Sequence, residues 1–268
     1  YAERFAAAGH AALVFDYRCH GDSGGEPRLL IDIGRQREDW RAAIAFARGL
    51  DGADPDRIVL WGTSFSGGHV IQTAAADHRV RAVIAQVPHV SGLASMKQVP
   101  FHLLLRMMLA AMRDLCGSVI RREHYSPIIG RHGDMAALTG DDAWHGYARL
   151  LPAGTAWENK VLSRIFLEVP LYSPIRHAHK VAAPTLIVAG THDTITPASA
   201  ARRASRRIPY CEFHLVEGNH FELHLHDEPA FASSVAAQLA FLNRHVGVVP
   251  LAPAKGGRDH RAGSGSRP

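Results

Sequence analysis

Three residues of the chain are of the types that together enable acyl transfer, and each follows an apolar run. Ser64 lies in "LWGTSFSGGHV" (60–70), where an apolar segment runs straight into a cluster of Gly and Ser. Asp193 lies three positions past Gly190 in "TLIVAGTHDTITP", and His220 two past Gly218 in "FHLVEGNHFEL". A hydroxyl becomes a nucleophile when an imidazole takes its proton, and a carboxylate behind the ring sets its tautomer and stabilises the imidazolium. Gly62, Ser64 and Ser66 form Gly-x-Ser-x-small between an apolar run and a helical pattern, the spacing of a nucleophile elbow. In such a turn the strained backbone lifts the Ser64 hydroxyl above a sheet, and small residues on either side let neighbouring backbone approach. The helix that follows aims its N-terminus at the developing oxyanion, with the Phe65 N–H as one donor. The order Ser, Asp, His, each just past a strand, raises the set above a Gly/Ser-rich turn.

Rival residues fit these roles less well. Asp141 and Asp142 have no strand before them, and Asp227 follows the base. His192 neighbours Asp193 but is expected to point away, while His224 and His226 are expected on a helix or the surface beyond the loop. With 18 histidines in the chain, most are bystanders. His220 and His224 stand four apart, a spacing that suits one helix face for a metal, but Phe221 occupies the position where the zincin pattern needs Glu. No metal and no cofactor is expected.

The elements that must position these residues alternate. Strands are expected at 11–17, 57–62, 80–88, 183–190 and 212–218, with helices at 37–50, from Phe65 to Ala76, from about Ala198 to Arg207 and at 230–246. Apolar strands alternating with helices predict an α/β fold with a mostly parallel sheet covered on both faces. Between Val87 and Pro184 the rhythm breaks into helical stretches with no obvious strand, too long for a loop in a compact domain. The organisation expected is therefore a first core part at 1–88, a helical cap insertion at 89–175, a second core part at 176–247 and a disordered tail at 248–268. Within the insertion, Leu104, Met107 and Met108, with Leu103 and Met112, are expected to offer a pliable apolar wall to substrate.

Composition narrows the class. The net charge is +5, but the Gly/Ser/Pro-rich end carries Lys255, Arg258, Arg261 and Arg267 against Asp259, so most of the excess is off the folded body. Nucleic acid is therefore not the expected partner. Cys19, Cys116 and Cys211 are far apart and odd in number, which reads as buried thiols in a reducing, cytoplasmic compartment. The most apolar run, "FHLLLRMMLAAM" (101–112), is shorter than the roughly 20 residues a membrane span needs and is interrupted by Arg106, so no membrane is expected. The partner expected is a small molecule, and no motif encodes an oligomeric state.

Together "GTSFSGG", "GTHDTITP", "EGNHF" and the Asp-x-Arg-x-x-Gly-x-Ser run in "FDYRCHGDSGG" (15–25) resemble the α/β-hydrolases, in the serine aminopeptidase-like and esterase-like branch. The resemblance covers residues 1 to about 246. It implies a serine hydrolase cleaving an ester, thioester or amide through an acyl-enzyme, with Asp16, Arg18, Gly21 and Ser23 bracing a loop near the site. It also implies three strands and a His-Gly oxyanion loop before the helix that stops at Gly9, so the chain is expected to begin inside a domain and the second oxyanion donor to lie upstream. Without the third of those strands, 11–17 must pair directly with 57–62 or lie at an edge. Alternative readings are a catalytically impaired hydrolase-fold binding protein and a cofactor-free haloperoxidase.

Overall fold

The computed structural model describes residues 1–96, 99–152, 154–155 and 157–247; the tail expected at 248–268 lies outside them. Helix α1 (Ala2–Ala7) stops before Gly9, whose φ of 89° turns the chain. Helix α2 (Ile33–Arg48) starts at Asp32, whose carboxylate accepts the Arg35 N–H at 2.9 Å, and it buries Gln36, Trp40 and Ile44 at helical spacing. Strand β1 (Val59–Thr63) runs into helix α3 (Ser64–Ala74), and strand β2 (Ala82–Gln86) follows.

The next segment holds helices α4 (Gly92–Met96) and α5 (Phe101–Ser118), then the two-residue strands β3 (Tyr125–Ser126), β4 (Ile129–Gly130) and β5 (Leu138–Thr139). Helix α6 (Asp141–Leu150), strand β6 (Val161–Leu162) and helix α7 (Ile165–Leu171) complete it. β3 pairs antiparallel with β6, and β4 pairs parallel with β5. The segment read as strandless thus contains short ladders, and two residues are too few to print an alternating pattern in sequence. The chain then returns to the sheet through β7 (Thr185–Gly190), α8 (Ala198–Ser205), β8 (Cys211–Val216) and α9 (Pro229–His245).

The main sheet has the order β1-β2-β7-β8 with every neighbouring pair parallel. Its register sets Thr63 beside Gln86, Gln86 beside Val188, and Gly190 beside Val216. The loops after β1, β7 and β8 therefore open at one edge. Alternate residues of the central strands feed two cores. Val83, Ala85, Ile187 and Ala189 pack with Trp40, Ile71 and Ala201 from α2, α3 and α8. Ala82, Ile84, Leu186 and Val188 pack on the other face with Phe5, Phe241 and Leu242 from α1 and α9.

The strand expected at 11–17 does not form. Among the described residues the segment joins no ladder, with Val14 exposed and Phe15 and Tyr17 turned onto the core. Its side chains carry a strand pattern, but among the described residues no neighbouring strand offers it backbone partners. It is anchored through side chains instead: Trp40 Nε1 donates to Tyr17 Oη at 2.7 Å.

Candidate active site

Ser64 sits at the junction of β1 and α3 with φ of 51°, a conformation that a residue with a Cβ adopts only under the constraint of its surroundings. Gly62 is required because a Cβ there would collide with the Ser66 carbonyl. The hydroxyl of Ser66 lies 2.7 Å from Tyr17 Oη, so the turn is tied to the 11–17 segment. Phe65 lies in the first turn of α3, where backbone N–H groups have no partner within the helix. Among the described residues no hydrogen bond takes up the Phe65 N–H.

Asp193 organises its own loop. Its Oδ1 accepts the backbone N–H groups of Ile195 at 2.9 Å and Thr196 at 2.6 Å. Its Oδ2 faces His220 Nδ1 at 2.7 Å and the Thr196 hydroxyl at 2.8 Å. The same hydroxyl lies 2.9 Å from the Val87 carbonyl, which joins the acid's loop to the end of β2. His220 rides on a short capped turn: Asn219 Oδ1 accepts from Phe221 N and Glu222 N, while Glu222 Oε2 accepts from Asn219 N at 2.9 Å. This reciprocal arrangement is a capping box.

His220 Nε2 lies 3.0 Å from Ser64 Oγ. The carboxylate only accepts, so Nδ1 carries the proton toward Asp193 and the Nε2 lone pair faces the hydroxyl. Asp193 and His220 are buried, and among the described residues no Lys or Arg pairs with Asp193. The structure therefore brings together the three residues singled out from sequence, and such a set can abstract the Ser64 proton.

The rivals fall elsewhere. His192 bonds Glu217 at 2.7 Å in solvent, and Asp227 pairs with Arg149 at 3.0 Å. Asp142 lies 3.5 Å from the Thr194 hydroxyl. His226 is exposed, as expected. His224 ends the short 3-10 helix Glu222–His224, so of the two placements expected for it the helix applies and not the open surface. Its ring turns inward beneath the base, with Nε2 3.1 Å from Thr63 Oγ1, Nδ1 3.3 Å from Gln86 Nε2, and its centroid 6.3 Å from that of His220. The turn at 222–224 sends it back under the loop, and burial followed by the nearby His220 lowers its pKa to about 4.

The expected apolar wall divides. Met107 is buried on the inward face of α5, Leu104 is partly buried, and Met108 is exposed on the outer face, so the three do not form one surface. Cys116 is exposed and not buried as expected, because the helical period places it on that outer face. Aromatic surface near the base comes from α6: the Tyr147 ring lies 6.4 Å from Phe221 and 5.1 Å from Trp157. Arg149 of α6 also pairs with Glu228 at 2.8 Å. A cavity of ≈ 270 Å³ lies between 88–95 and 196–203, lined by His89, Ser91 and Thr196 among others.

Sequence reasoning missed Thr196, the Asn219–Glu222 box and Tyr17. "NHFE" carries a capping signature, and Tyr17 alternates with Asp16 and Arg18, so it must face the opposite side. The bracing expected of those neighbours is visible. Asp16 Oδ2 accepts the Asp22 N–H at 3.0 Å, the Ser23 hydroxyl donates to the Asp16 carbonyl at 2.8 Å, and Arg18 Nε donates to Asp39 at 2.6 Å. Gly21, with φ of 49°, leaves room that a Cβ would take from the Asp16 carboxylate.

Comparison with known proteins agrees with this architecture. Residues 2–234 match the model of the alpha/beta hydrolase family. The quorum-quenching protein AidA of Acinetobacter baumannii is 41% identical over 252 residues, covering 94% of this chain and 81% of that protein. The thiohydrolase aneE of Aspergillus aculeatus is 40% identical over 99 residues, 37% of this chain and 31% of that protein. A solved structure of DcsB with its substrate analogue superposes with a TM-score of 0.78 at 25% identity, over 91% of this chain and 84% of that one. Among the described residues, no helix is long and apolar enough to cross a membrane. The chain belongs to the alpha/beta hydrolase family of hydrolytic enzymes.

Proposed function

We propose that Ser64, His220 and Asp193 are the nucleophile, base and acid of a serine hydrolase that cleaves an ester or thioester of a small, partly apolar acyl compound. Ser64 Oγ attacks the carbonyl carbon while His220 Nε2 takes its proton. The tetrahedral oxyanion is met by the Phe65 N–H and the N-terminus of α3. Collapse expels the alcohol or thiol, which takes the proton from His220 and leaves an acyl-Ser64. Water, deprotonated by His220, then attacks the acyl group, releases the acid and restores the hydroxyl.

The observation that carries this reading is the contact line from Ser64 Oγ to His220 Nε2 at 3.0 Å and from His220 Nδ1 to Asp193 Oδ2 at 2.7 Å. Residues 89–175 act as a cap in this scheme, supported by the packing of α6 on the loop that carries His220. Tyr147, Trp157 and Phe221 give that side an apolar character. The thiohydrolase likeness over part of the chain makes thioesters a substrate class to compare with oxygen esters and amides.

The test measures turnover of p-nitrophenyl esters, acyl thioesters and aminoacyl anilides, together with labelling by a fluorophosphonate. Ser64→Ala is expected to lower kcat by about 10⁴-fold or more and to abolish labelling. Unchanged turnover in Ser64→Ala overturns the assignment, and a preference for anilides replaces the ester reading with a peptidase.

A further inference from the structure

Helix α5 is apolar on two opposite faces. Leu103, Met107, Ala110, Ala111 and Asp114 point inward and are buried. Phe101, Leu105, Met108, Met112, Leu115 and Val119 point outward and are 39–84% exposed. An exposed apolar stripe of this length on a helix whose other apolar face is already packed marks an interaction surface. The outward positions follow one another at intervals of four, three, four, three and four, the a/d rhythm of a heptad seam.

We propose that this face is an interface between two copies of the chain, paired antiparallel about a two-fold axis near residue 110. Three observations select this occupant. First, the seam is self-complementary. Reversal places Phe101 against Val119, Leu105 against Leu115 and Met108 against Met112, which is the isologous match a two-fold requires. Second, the residues beside the seam at the flanking heptad positions are His102, Leu104, Leu109, Ala111, Cys116 and Ser118, none of them Asp, Glu, Lys or Arg. Close approach of two copies therefore meets no like-charge repulsion. Arg106 and Arg113 point about 120° away from the seam and stay in water.

Third, the area is sufficient. With Leu109, the seam residues expose on the order of 800 Å², close to the roughly 800 Å² per partner of a standard interface and above what a monomer ordinarily leaves in one patch. Two and a half heptads are too short to pair as free peptides, but α5 is already held as a helix by its inward face. The buried Asp114, bonded to Arg164 Nε at 2.7 Å, fixes that face and hence the outward direction of the seam. A lipid surface fits less well, because an interfacial helix borders its apolar stripe with cations, and the residues here are neutral.

The test measures the mass of the full chain in solution by sedimentation or light scattering. The wild type is expected at twice the chain mass. Leu105→Glu is expected at the monomer mass with ester turnover retained, since Leu105 lies outside the proposed catalytic set. The double variant Leu105→Glu/Leu115→Lys is expected to return to twice the chain mass, because antiparallel pairing sets each new acid against a new base. A monomeric wild type, a dimer indifferent to Leu105→Glu, or a double variant that stays monomeric each overturns the proposal. Sedimentation of a monomeric wild type with vesicles of anionic phospholipid also overturns it, in favour of a membrane-docking face.

Discussion

At the scale of single residues, Asp193 is stabilised by dipoles and not by cations. Its oxygens accept two backbone N–H groups and face Thr196 and His220, and its side chain has no exposure. In the proposed mechanism its contribution is to keep the proton on Nδ1 and to oppose the charge that forms on the ring. Asp193→Asn keeps the shape but presents an amide N–H toward Nδ1, which drives the ring proton to Nε2 and turns it against the Ser64 hydroxyl. The expected loss is about 10⁴-fold in kcat, with a parallel loss in the rate of fluorophosphonate labelling and little change in KM. Labelling at the wild-type rate would remove Asp193 from the role. Asp193 was legible because it follows a strand buried at every position, whereas Thr196 was not, since its function depends on reaching the carbonyl of Val87, 109 positions earlier.

At the scale of elements, the segment between the two halves of the sheet is held by a charge pair whose acid is fully buried. Asp114 near the end of α5 accepts from the backbone N–H groups of His124 and Arg164, each at 3.0 Å, and from the Arg164 side chain at 2.7 and 3.0 Å. These bonds join α5, the loop before β3 and the entry to α7. Desolvation opposes the Asp114 charge, but the Arg164 and backbone bonds prevail and hold its pKa below the usual carboxylate range. Asp114→Ala leaves a guanidinium and two amides without their acceptor. A loss of about 3–5 kcal/mol in unfolding free energy is expected by denaturant titration. A loss under about 1 kcal/mol would mean that the segment is anchored elsewhere.

The same scale explains what the sequence could and could not reveal. β2 and β7 were legible because strands buried on both faces must be apolar almost throughout, whereas the outer strands β1 and β8 are only partly buried and were legible from apolar residues bounded by turn signals. Residues 11–17 carried a strand pattern because Phe15 and Tyr17 face a core, yet pairing depends on a neighbour that no local pattern reports. The β3–β6 and β4–β5 ladders are too short to leave a period at all. For His224 the sequence left a helix and the surface both open, because no local pattern reports which way a residue just past the active loop turns. Its inward orientation comes from the turn that folds it under Thr63 and Gln86.

At the scale of the whole molecule, several buried or partly buried histidines are held in their neutral form by desolvation. His69 is fixed between Tyr172 Oη at 2.6 Å and Gln36 Oε1 at 2.9 Å, and burial lowers its pKa to about 3. His89 is lowered to about 4 by burial, and His224 to about 4 by burial and the adjacent His220. His10 and His177 shift in the same direction, also chiefly through desolvation. In the unfolded chain each ring titrates near 6.5, so below that pH the unfolded state binds protons that the folded state refuses. Stability is therefore fully present above about pH 6.5 and falls as the pH drops, until the folded rings themselves protonate near 3 to 4. The three most strongly shifted rings, His69, His89 and His224, together give a slope approaching about 4 kcal/mol per pH unit, against a total stability of about 5–15 kcal/mol for a domain. The paired carboxylates Asp77 and Glu212, with pKa values lowered by their Arg and His partners, add their losses only at lower pH. Denaturant titrations at pH 7.5, 6 and 5 are expected to show a steep fall that begins below about pH 6.5. His69→Gln is expected to flatten that fall by about a third, since it removes one of the three rings. A midpoint constant from pH 7.5 to 5 would show that these rings accept protons without unfolding.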